Sequence, residues 1–167
     1  MKQGAKVRSV DDLTRSGVNG RAIVHEKIKL ETLDYLAKFH DLIQQETPEC
    51  SVTLLKADVA AAFRSLSILP GHQELTRAAF MINETQRIVI RHDRCPLGAV
   101  GSVFGWHKAG QIINAIIRVG LLAMSAMYVD DIFGIESIGS AKHLLRATKT
   151  VVTAFGWSLD DNKMQVG

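Results

Sequence analysis

The sequence contains little cysteine and no long apolar run. Its two cysteines, Cys50 and Cys95, lie far apart and outside any Cys-x-x-Cys pattern, so neither a disulfide framework nor a zinc site is expected, and a reducing intracellular setting fits. The N-terminal residues lack the apolar core of a signal peptide. The longest apolar stretch, Val119 to Val129, is too short to span a bilayer, so no membrane segment is expected.

The chain has enough apolar content for a core, and its charge is unevenly distributed. A length of 167 residues, with 47% hydrophobic and 22% charged residues, predicts one folded domain. The net charge is +3, but residues 1–30 contain seven basic and three acidic side chains. Such a segment is typical of contacts with phosphates on nucleotides or nucleic acids. Taken alone, the charge favours an ordinary solvated strip.

The spacing of apolar residues predicts a mixture of helices and strands. The predicted elements are a helix over 31–45, a strand over 51–57, a short helical turn over 59–66, a hairpin of 77–82 with 86–91, a helix over 102–122, a hairpin of 124–128 with 132–136, and a helix over 139–155. The expected core side chains of the 102–122 helix are Val103, Trp106, Ile112, Ile113, Ile116 and Ile117. Gly156 is expected to end the last helix in the left-handed conformation. These elements together predict an α+β fold, with helices packed on an antiparallel sheet.

Three aspartates follow or interrupt predicted buried strands. Asp58 comes at the end of the 51–57 strand, and Asp130 and Asp131 lie between the strands of the second hairpin. Carboxylates beside apolar strands are costly unless a counter-charge neutralises them. Mg²⁺ is suited to this role because it binds through one or two carboxylates and substrate phosphates. Taken alone, the Asp130-Asp131 pair is more often a turn that caps backbone amides.

Five blocks of the sequence resemble the sequence blocks of reverse transcriptases. Tyr128-Val129-Asp130-Asp131 resembles their Tyr-x-Asp-Asp box, and Asp58 with Phe63 five residues later resembles their first catalytic block. The other blocks are Cys95-Pro96-Leu97-Gly98 with Gly101-Ser102, then Asp160-Asp161-Asn162-Lys163, and the N-terminal Lys6-x-Arg8 that leads towards Ser16-Gly17-Val18-Asn19. A lone Tyr-x-Asp-Asp is a weak signal, but several blocks in this order and spacing are a strong one.

The resemblance implies a polymerase palm, which is an antiparallel sheet backed by helices, with partial fingers. Residues 1–167 would form one reverse-transcriptase-like domain. In it, residues 1–50 would be partial fingers and residues 51–167 a palm-centred region with a fingers-type hairpin near 77–91. No segment resembles a thumb or a ribonuclease H, so we expect a fragment of a larger polyprotein. The pattern after Cys95 is closer to a divergent retroelement lineage than to a retroviral one, and the tyrosine-recombinase-bearing type is one candidate.

The resemblance also implies which residues bind metal. Asp58 and Asp130 would be the main ligands of Mg²⁺, with Mn²⁺ as a possible substitute, and the carbonyl of Val59 would assist. Asp131 would be the third carboxylate, although adjacent strand residues point to opposite faces. Two such ions form the clamp used for in-line phosphoryl transfer.

Further residues would contact the substrates, namely dNTPs and an RNA or DNA template with its primer. The implied nucleotide-binding residues are Lys6 and Arg8 on the triphosphate, Phe63 as the steric gate against a ribose 2′-hydroxyl, Gly98 beside the nucleotide, and Tyr128 near the primer end. Gly101 and Ser102 would contact the template or primer, and Lys163 would be a catalytic proton donor near the leaving pyrophosphate. From pattern alone, Phe63 is equally a core residue and Lys163 a surface charge.

The sequence departs from the family pattern at two positions. Leu97 replaces the usual glutamine, so one polar contact near the incoming nucleotide is lost, and Ala61 stands where many relatives carry a second acidic residue. Two further readings stay open beside an RNA-directed DNA polymerase. One is an inactive, truncated retroelement remnant that keeps the palm fold. The other is an RNA-templated RNA polymerase, against which Phe63 and Val129 speak.

Overall fold

The computed structural model describes residues 13–167 and confirms the α+β class. Its helices are α1 (Leu33–Glu46), α2 (Val100–Gly120) and α3 (Ala141–Ala154), and its strands are β1 (Val52–Asp58), β2 (Arg77–Met81), β3 (Arg87–Arg91), β4 (Met124–Tyr128), β5 (Asp131–Ser137) and β6 (Gln165–Val166). The chain divides into two compact units. Of the described residues, the hairpin unit contains 13–25 and Phe63–Phe104, and the sheet unit contains Glu26–Ala62 and Gly105–Gly167.

The sheet unit is built on four antiparallel strands in the order β4-β5-β1-β6. The two central strands, β5 and β1, are therefore far apart in sequence. Taken with α2 and α3, these strands follow the β-α-β-β-α-β order, in which two β-α-β segments each enclose a strand from the other. This arrangement brings the end of β1 beside the turn between β4 and β5.

The two faces of the sheet are covered differently. One face contributes Leu55 and Ile132, which line a small buried cavity together with Ile117 of α2 and Leu144 of α3. On the opposite face, Leu36 of α1 forms a buried cluster; its partners are Ala126 and Ile135, with Phe39, Ile43, Val52 and Phe133 packed around them. Burial alternates along β1 and β5 because successive strand residues point to opposite faces. We call the face that Leu36 covers the α1 face.

The free edge of β4 is closed by side chains instead of another strand. Glu31 accepts hydrogen bonds at Oε2 from the Met127 backbone N–H (2.9 Å) and from Asn114 Nδ2 (3.0 Å). Its Oε1 forms an ion pair with Arg118 at 2.6 Å, and Arg118 Nε donates to the carbonyl of Ser125 at 2.6 Å. Unpaired edge groups otherwise invite pairing with another strand. The Glu31–Arg118 pair therefore fixes β4 where the sheet would be open.

The hairpin unit has its own polar connections. Strands β2 and β3 pair from Arg77↔Arg91 to Met81↔Arg87, and the Asn83 side chain accepts backbone hydrogen bonds inside the connecting turn. The Asn19 side chain donates to the carbonyl of Gly98 (2.8 Å) and accepts from the Val100 N–H (3.1 Å). Asn19 thus holds both sides of the loop that precedes α2.

Most predicted elements are confirmed, and the differences have a physical cause. The helical turn predicted from Val59 to Leu66 is reduced to a 3₁₀ helix over Ala62–Ser65. A helix cannot run on from Val59 because Ala61 has a left-handed φ of 53°. The N–H groups of Val59 and Ala60 instead donate to the carbonyls of Asp130 (2.9 Å) and Ser158 (2.8 Å). Gly156 has the expected left-handed φ of 77°. Within residues 13–167, no helix combines the length and apolar character needed to cross a membrane.

Replacing Glu31 by Gln should destabilise the fold because it leaves the half-buried Arg118 without its counter-charge. We expect the free energy of unfolding to fall by about 1–3 kcal/mol, as for other polar groups left unpaired. Glu26 provides a matched control: it pairs with Lys108 at the surface, where both side chains are more than half exposed. E26Q should lower stability by less than about 0.5 kcal/mol. Chemical denaturation of both variants measures the difference, and equal effects would contradict this role of Glu31.

Candidate active site at the end of the sheet

The candidate site lies where β1 ends and β5 begins. Asp58, the last residue of β1, is the direct register partner of Asp131, the first residue of β5. Directly opposed residues of an antiparallel pair share a face, with Cβ atoms about 5 Å apart. Tyr128, at the end of β4, is the partner of Asp131 on its other side and is half exposed. The register thus places two of the three predicted carboxylates and the predicted tyrosine side by side.

Asp130, the third carboxylate, lies in the two-residue turn between β4 and β5. The preceding residue, Val129, has a φ of 56°, a left-handed conformation that is unfavourable for a β-branched side chain. Such a residue costs about 1–3 kcal/mol and persists only where its surroundings enforce it. The Val59 N–H donates to the carbonyl of Asp130 at 2.9 Å, so the turn is fastened to the residue that follows Asp58.

The other fastening of this turn comes from α2. Trp106 is 1% exposed, and its indole Nε1 donates a hydrogen bond of 2.7 Å to the carbonyl of Val129. Its ring packs against Trp157 at a centroid distance of 5.1 Å. The sequence predicted Trp106 only as a core side chain. Nothing in the local pattern of α2 indicates that its N–H would reach the aspartate turn.

Two of the three carboxylates have a lysine as ion-pair partner. Lys163 Nζ lies 2.8 Å from Oδ2 of Asp58, and Lys56 Nζ lies 3.2 Å from Oδ2 of Asp131. The other oxygen of Asp131, Oδ1, is buried and has no hydrogen-bond partner. Buried polar atoms normally have one, so this oxygen is available to a ligand. The predicted Lys163 is thus brought to Asp58, whereas Lys56 was not singled out from the sequence.

The third carboxylate, Asp130, is the one whose ionised form is disfavoured. Burial raises its pKa above the ordinary value of 3.8, and the charges of Asp58 and Asp131 raise it further. A backbone hydrogen bond and the positive charge of Lys163 oppose this shift but do not cancel it. The two lysines therefore neutralise the carboxylate cluster only in part. A further cation at this position would favour the ionised form of Asp130.

The residues present suit an open divalent-cation site and not a closed protein cage. In the part of the chain that the structure describes, no group of three or more His, Cys, Asp or Glu side chains is arranged to hold a metal ion. Mg²⁺ does not require such a cage, because it commonly uses one or two carboxylates, with water and phosphate oxygens completing the shell. The charges of Asp58 and Asp131 act on Asp130, so the three carboxylates lie near one another, and Oδ1 of Asp131 has no hydrogen-bond partner.

A cavity of about 360 Å³ opens on the α1 face beside Tyr128, the strand partner of Asp131. Tyr128, Phe133, Ala126 and Leu36 give it an apolar wall; Glu31, Thr32 and Asp34 complete its lining. Lys56 lies over the ring of Phe133, 5.4 Å from its centroid, so the same lysine contacts both this wall and Asp131. The cavity is therefore large enough for a ring-sized group next to Tyr128.

Several other predicted site residues belong to the hairpin unit and are described by themselves. Phe63 is half-buried in the 3₁₀ helix, and Gly98 has a φ of 94°, which a side chain would strain. Gly101 is exposed with open space around it, whereas Ser102 is 4% exposed. Lys6 and Arg8, the predicted triphosphate ligands, lie outside the described residues. The structure therefore brings together the residues of the predicted metal site but does not test the predicted nucleotide contacts.

Comparisons with known proteins leave the chain unassigned. No protein-family model matches it, and no curated protein matches it at a significant level.

Replacing Asp130 by Asn should stabilise the fold when no divalent cation is present. The raised pKa means that ionised Asp130 destabilises the folded state at neutral pH, an effect that disappears as the pH falls through the folded-state pKa towards the unfolded value of 3.8. D130N should therefore have the higher Tm in EDTA at pH 7, and its advantage should vanish below about pH 4. Thermal unfolding across this pH range tests the expectation, with Asp41→Asn, an exposed position on α1, as the control. A lower Tm for D130N at pH 7 would contradict it.

Proposed function

We propose that this chain is the palm-centred part of a reverse-transcriptase-like polymerase that carries out template-directed nucleotidyl transfer with divalent metal ions. The observation that carries the proposal is the register of the sheet. It opposes Asp58 to Asp131 and puts Asp130 in the adjoining turn, although β1 and the aspartate turn are more than seventy residues apart. The resemblance of the sequence blocks gives this cluster its function.

The fold agrees with what the resemblance implies. A four-stranded antiparallel sheet with the β-α-β-β-α-β order is the kind of support the resemblance implies for a palm. The hairpin unit follows β1 in the chain and includes β2 and β3, as the predicted fingers-type hairpin near 77–91 requires. The fold alone does not specify an activity, so the argument rests on the carboxylates.

The residues of the cluster have separate tasks in the proposed reaction. Asp58 and Asp130 would hold the metal ions, with Asp131 and the Val59 carbonyl in support. When bound, two divalent ions would supply Lewis-acid activation of a primer 3′-hydroxyl and neutralisation of the charge on the leaving pyrophosphate. Lys163, which contacts Asp58, would donate a proton to a phosphate oxygen of the leaving group.

Substrate positions follow from the surroundings of the cluster. The half-exposed ring of Tyr128 and the apolar cavity beside it suit the sugar and base at a primer end. Lys6, Arg8, Phe63 and Gly98 are proposed for the incoming nucleotide, and Gly101 with Ser102 for the template or primer. Phe63 follows Asp58 by five residues, as the steric-gate assignment requires.

One observation favours the alternative, an inactive remnant that keeps the fold. Lys163 and Lys56 already pair with Asp58 and Asp131, so two carboxylates are neutralised without any metal ion. A chain that had lost its activity could keep this cluster as a purely structural feature. The retention of all three aspartates, Asp58, Asp130 and Asp131, weighs against this reading.

Primer extension tests the proposed activity directly. With an RNA template, a DNA primer and dNTPs, the chain should extend the primer in Mg²⁺ or Mn²⁺ and not in EDTA. D130N should reduce the rate by roughly 10²- to 10³-fold, the usual loss when a group that stabilises transition-state charge is removed. D41N, on the exposed surface of α1, should extend as the wild type does. No extension by the wild type above that of D130N would contradict the proposed activity and favour the remnant interpretation.

Replacing Phe63 by Ala tests the steric gate. If the ring excludes a ribose 2′-hydroxyl, F63A should incorporate ribonucleotides at least about tenfold better relative to dNTPs, since removing a steric clash relaxes discrimination. Single-nucleotide incorporation with matched rNTP and dNTP pairs measures the ratio. Phe80→Ala in β2 removes an exposed phenyl ring from the same unit and should leave the ratio unchanged. An unchanged ratio in F63A would make Phe63 a packing residue.

A further inference from the structure

The turn that carries Asp130 has a backbone geometry that its own sequence disfavours. Tyr128 and Asp131 are register partners, so the hairpin loop consists of Val129 and Asp130 alone. Only the first of these has a positive φ, a pattern in which two-residue hairpin loops normally carry glycine. Valine is among the least suitable residues there because it is β-branched. Interactions from outside the hairpin must therefore hold the turn.

Trp106 acts on Val129 directly. The indole of Trp106 has a single N–H donor, and that donor is used on the carbonyl of Val129 at 2.7 Å. Trp106 is 1% exposed, which is rare for so large a side chain. A phenylalanine could supply apolar packing at this place. The N–H is what distinguishes tryptophan, and its partner is the strained residue.

The two hydrogen bonds that hold the turn come from different elements. Trp106 holds Val129 from α2, and the Val59 N–H holds the carbonyl of Asp130 from the end of β1. Because Val59 directly follows Asp58, the second bond ties the two halves of the carboxylate cluster together. A shift of Val129 would move the Asp130 carbonyl and strain this bond. The amide of Val59 therefore reports on the position of the turn.

We propose that Trp106 is a positioning residue: its indole N–H holds Val129 in the left-handed conformation and so sets the place of the Asp130 carboxylate relative to Asp58. The part of this inference that concerns catalysis rests on the proposed polymerase function. The part that concerns the turn does not. Trp106 touches neither substrate nor metal in this assignment and acts only through the backbone of Val129.

The test compares Trp106→Phe with Trp157→Phe, which removes the neighbouring indole from the same aromatic cluster. W106F should lower the hydrogen-exchange protection of the Val59 amide by about tenfold, the equivalent of one hydrogen bond, and W157F should leave it unchanged. W106F should also weaken Mn²⁺ binding and lower kcat by about tenfold without raising KM for the dNTP. Equal effects of the two variants would show that Trp106 is a packing residue only.

A second substitution separates positioning from packing. Val129→Gly removes the backbone strain, because glycine adopts a positive φ freely. In the V129G background, W106F should therefore cost much less Val59 protection and Mn²⁺ affinity than in the wild type. If the two substitutions have additive effects, the proposal is wrong. Should W106F fold poorly, the tryptophan analogue benzothienylalanine can replace it. The chain has two tryptophans, so incorporation of the analogue into W157F substitutes position 106 alone. The analogue lacks the N–H but has nearly the same ring size.

The readouts distinguish this inference from the polymerase proposal. If the wild type neither binds Mn²⁺ nor extends primers, while W106F lowers Val59 protection and V129G reduces that loss, the polymerase function fails and the positioning of the turn stands. If the wild type extends primers and W106F behaves as W157F does, the function stands and the positioning role fails.

Discussion

The sheet unit is constrained by two aspartates, Asp58 and Asp131, which are directly opposed on the central strands β1 and β5. Like charges at opposed positions destabilise a sheet, so Asp58 and Asp131 require compensation wherever β1 pairs with β5 in this register. Two lysines provide this compensation: Lys163 forms an ion pair with Asp58, and Lys56 forms one with Asp131. A one-residue slip would separate the carboxylates but would also turn Leu55 and Ala57 out of the core. Burial of apolar side chains therefore enforces a register that the repulsion between Asp58 and Asp131 disfavours.

The elements around this strand pair fix the aspartate turn from outside. The free edge of β4 is closed by Glu31 and Arg118, the first residue of the turn is held by Trp106, and the second is held by Val59. None of these four residues lies within the hairpin itself. The geometry of the turn that carries Asp130 therefore depends on contacts from α2, from the residue after β1 and from the segment before α1. Strained positions of this kind cluster where function needs a fixed geometry.

The sequence predicted what depends on local pattern. Apolar alternation located β1 and the β4–β5 hairpin, and the motif spacing singled out Asp58, Asp130 and Lys163, which the structure gathers. The sequence-based prediction was wrong in part for α2, where apolar residues occur on all sides of the helix. Of the expected α2 core, Trp106, Ile113 and Ile117 are buried, but Val103, Ile112 and Ile116 are exposed by 38% or more, since periodicity cannot choose a face when several are apolar.

Long-range polar contacts were beyond the sequence for a different reason. Glu31 and Met127 are 96 positions apart, and a glutamate before a helix is ordinarily read as a surface charge or a cap. Such a side chain finds a strand edge only after the sheet order is known, because that order determines which strand lacks a neighbour. The same holds for Trp106, whose partner exists only once β4 and β5 form their turn. Motifs in a sequence can therefore locate a cluster of carboxylates, whereas the residues that contact its turn become visible only in the folded chain.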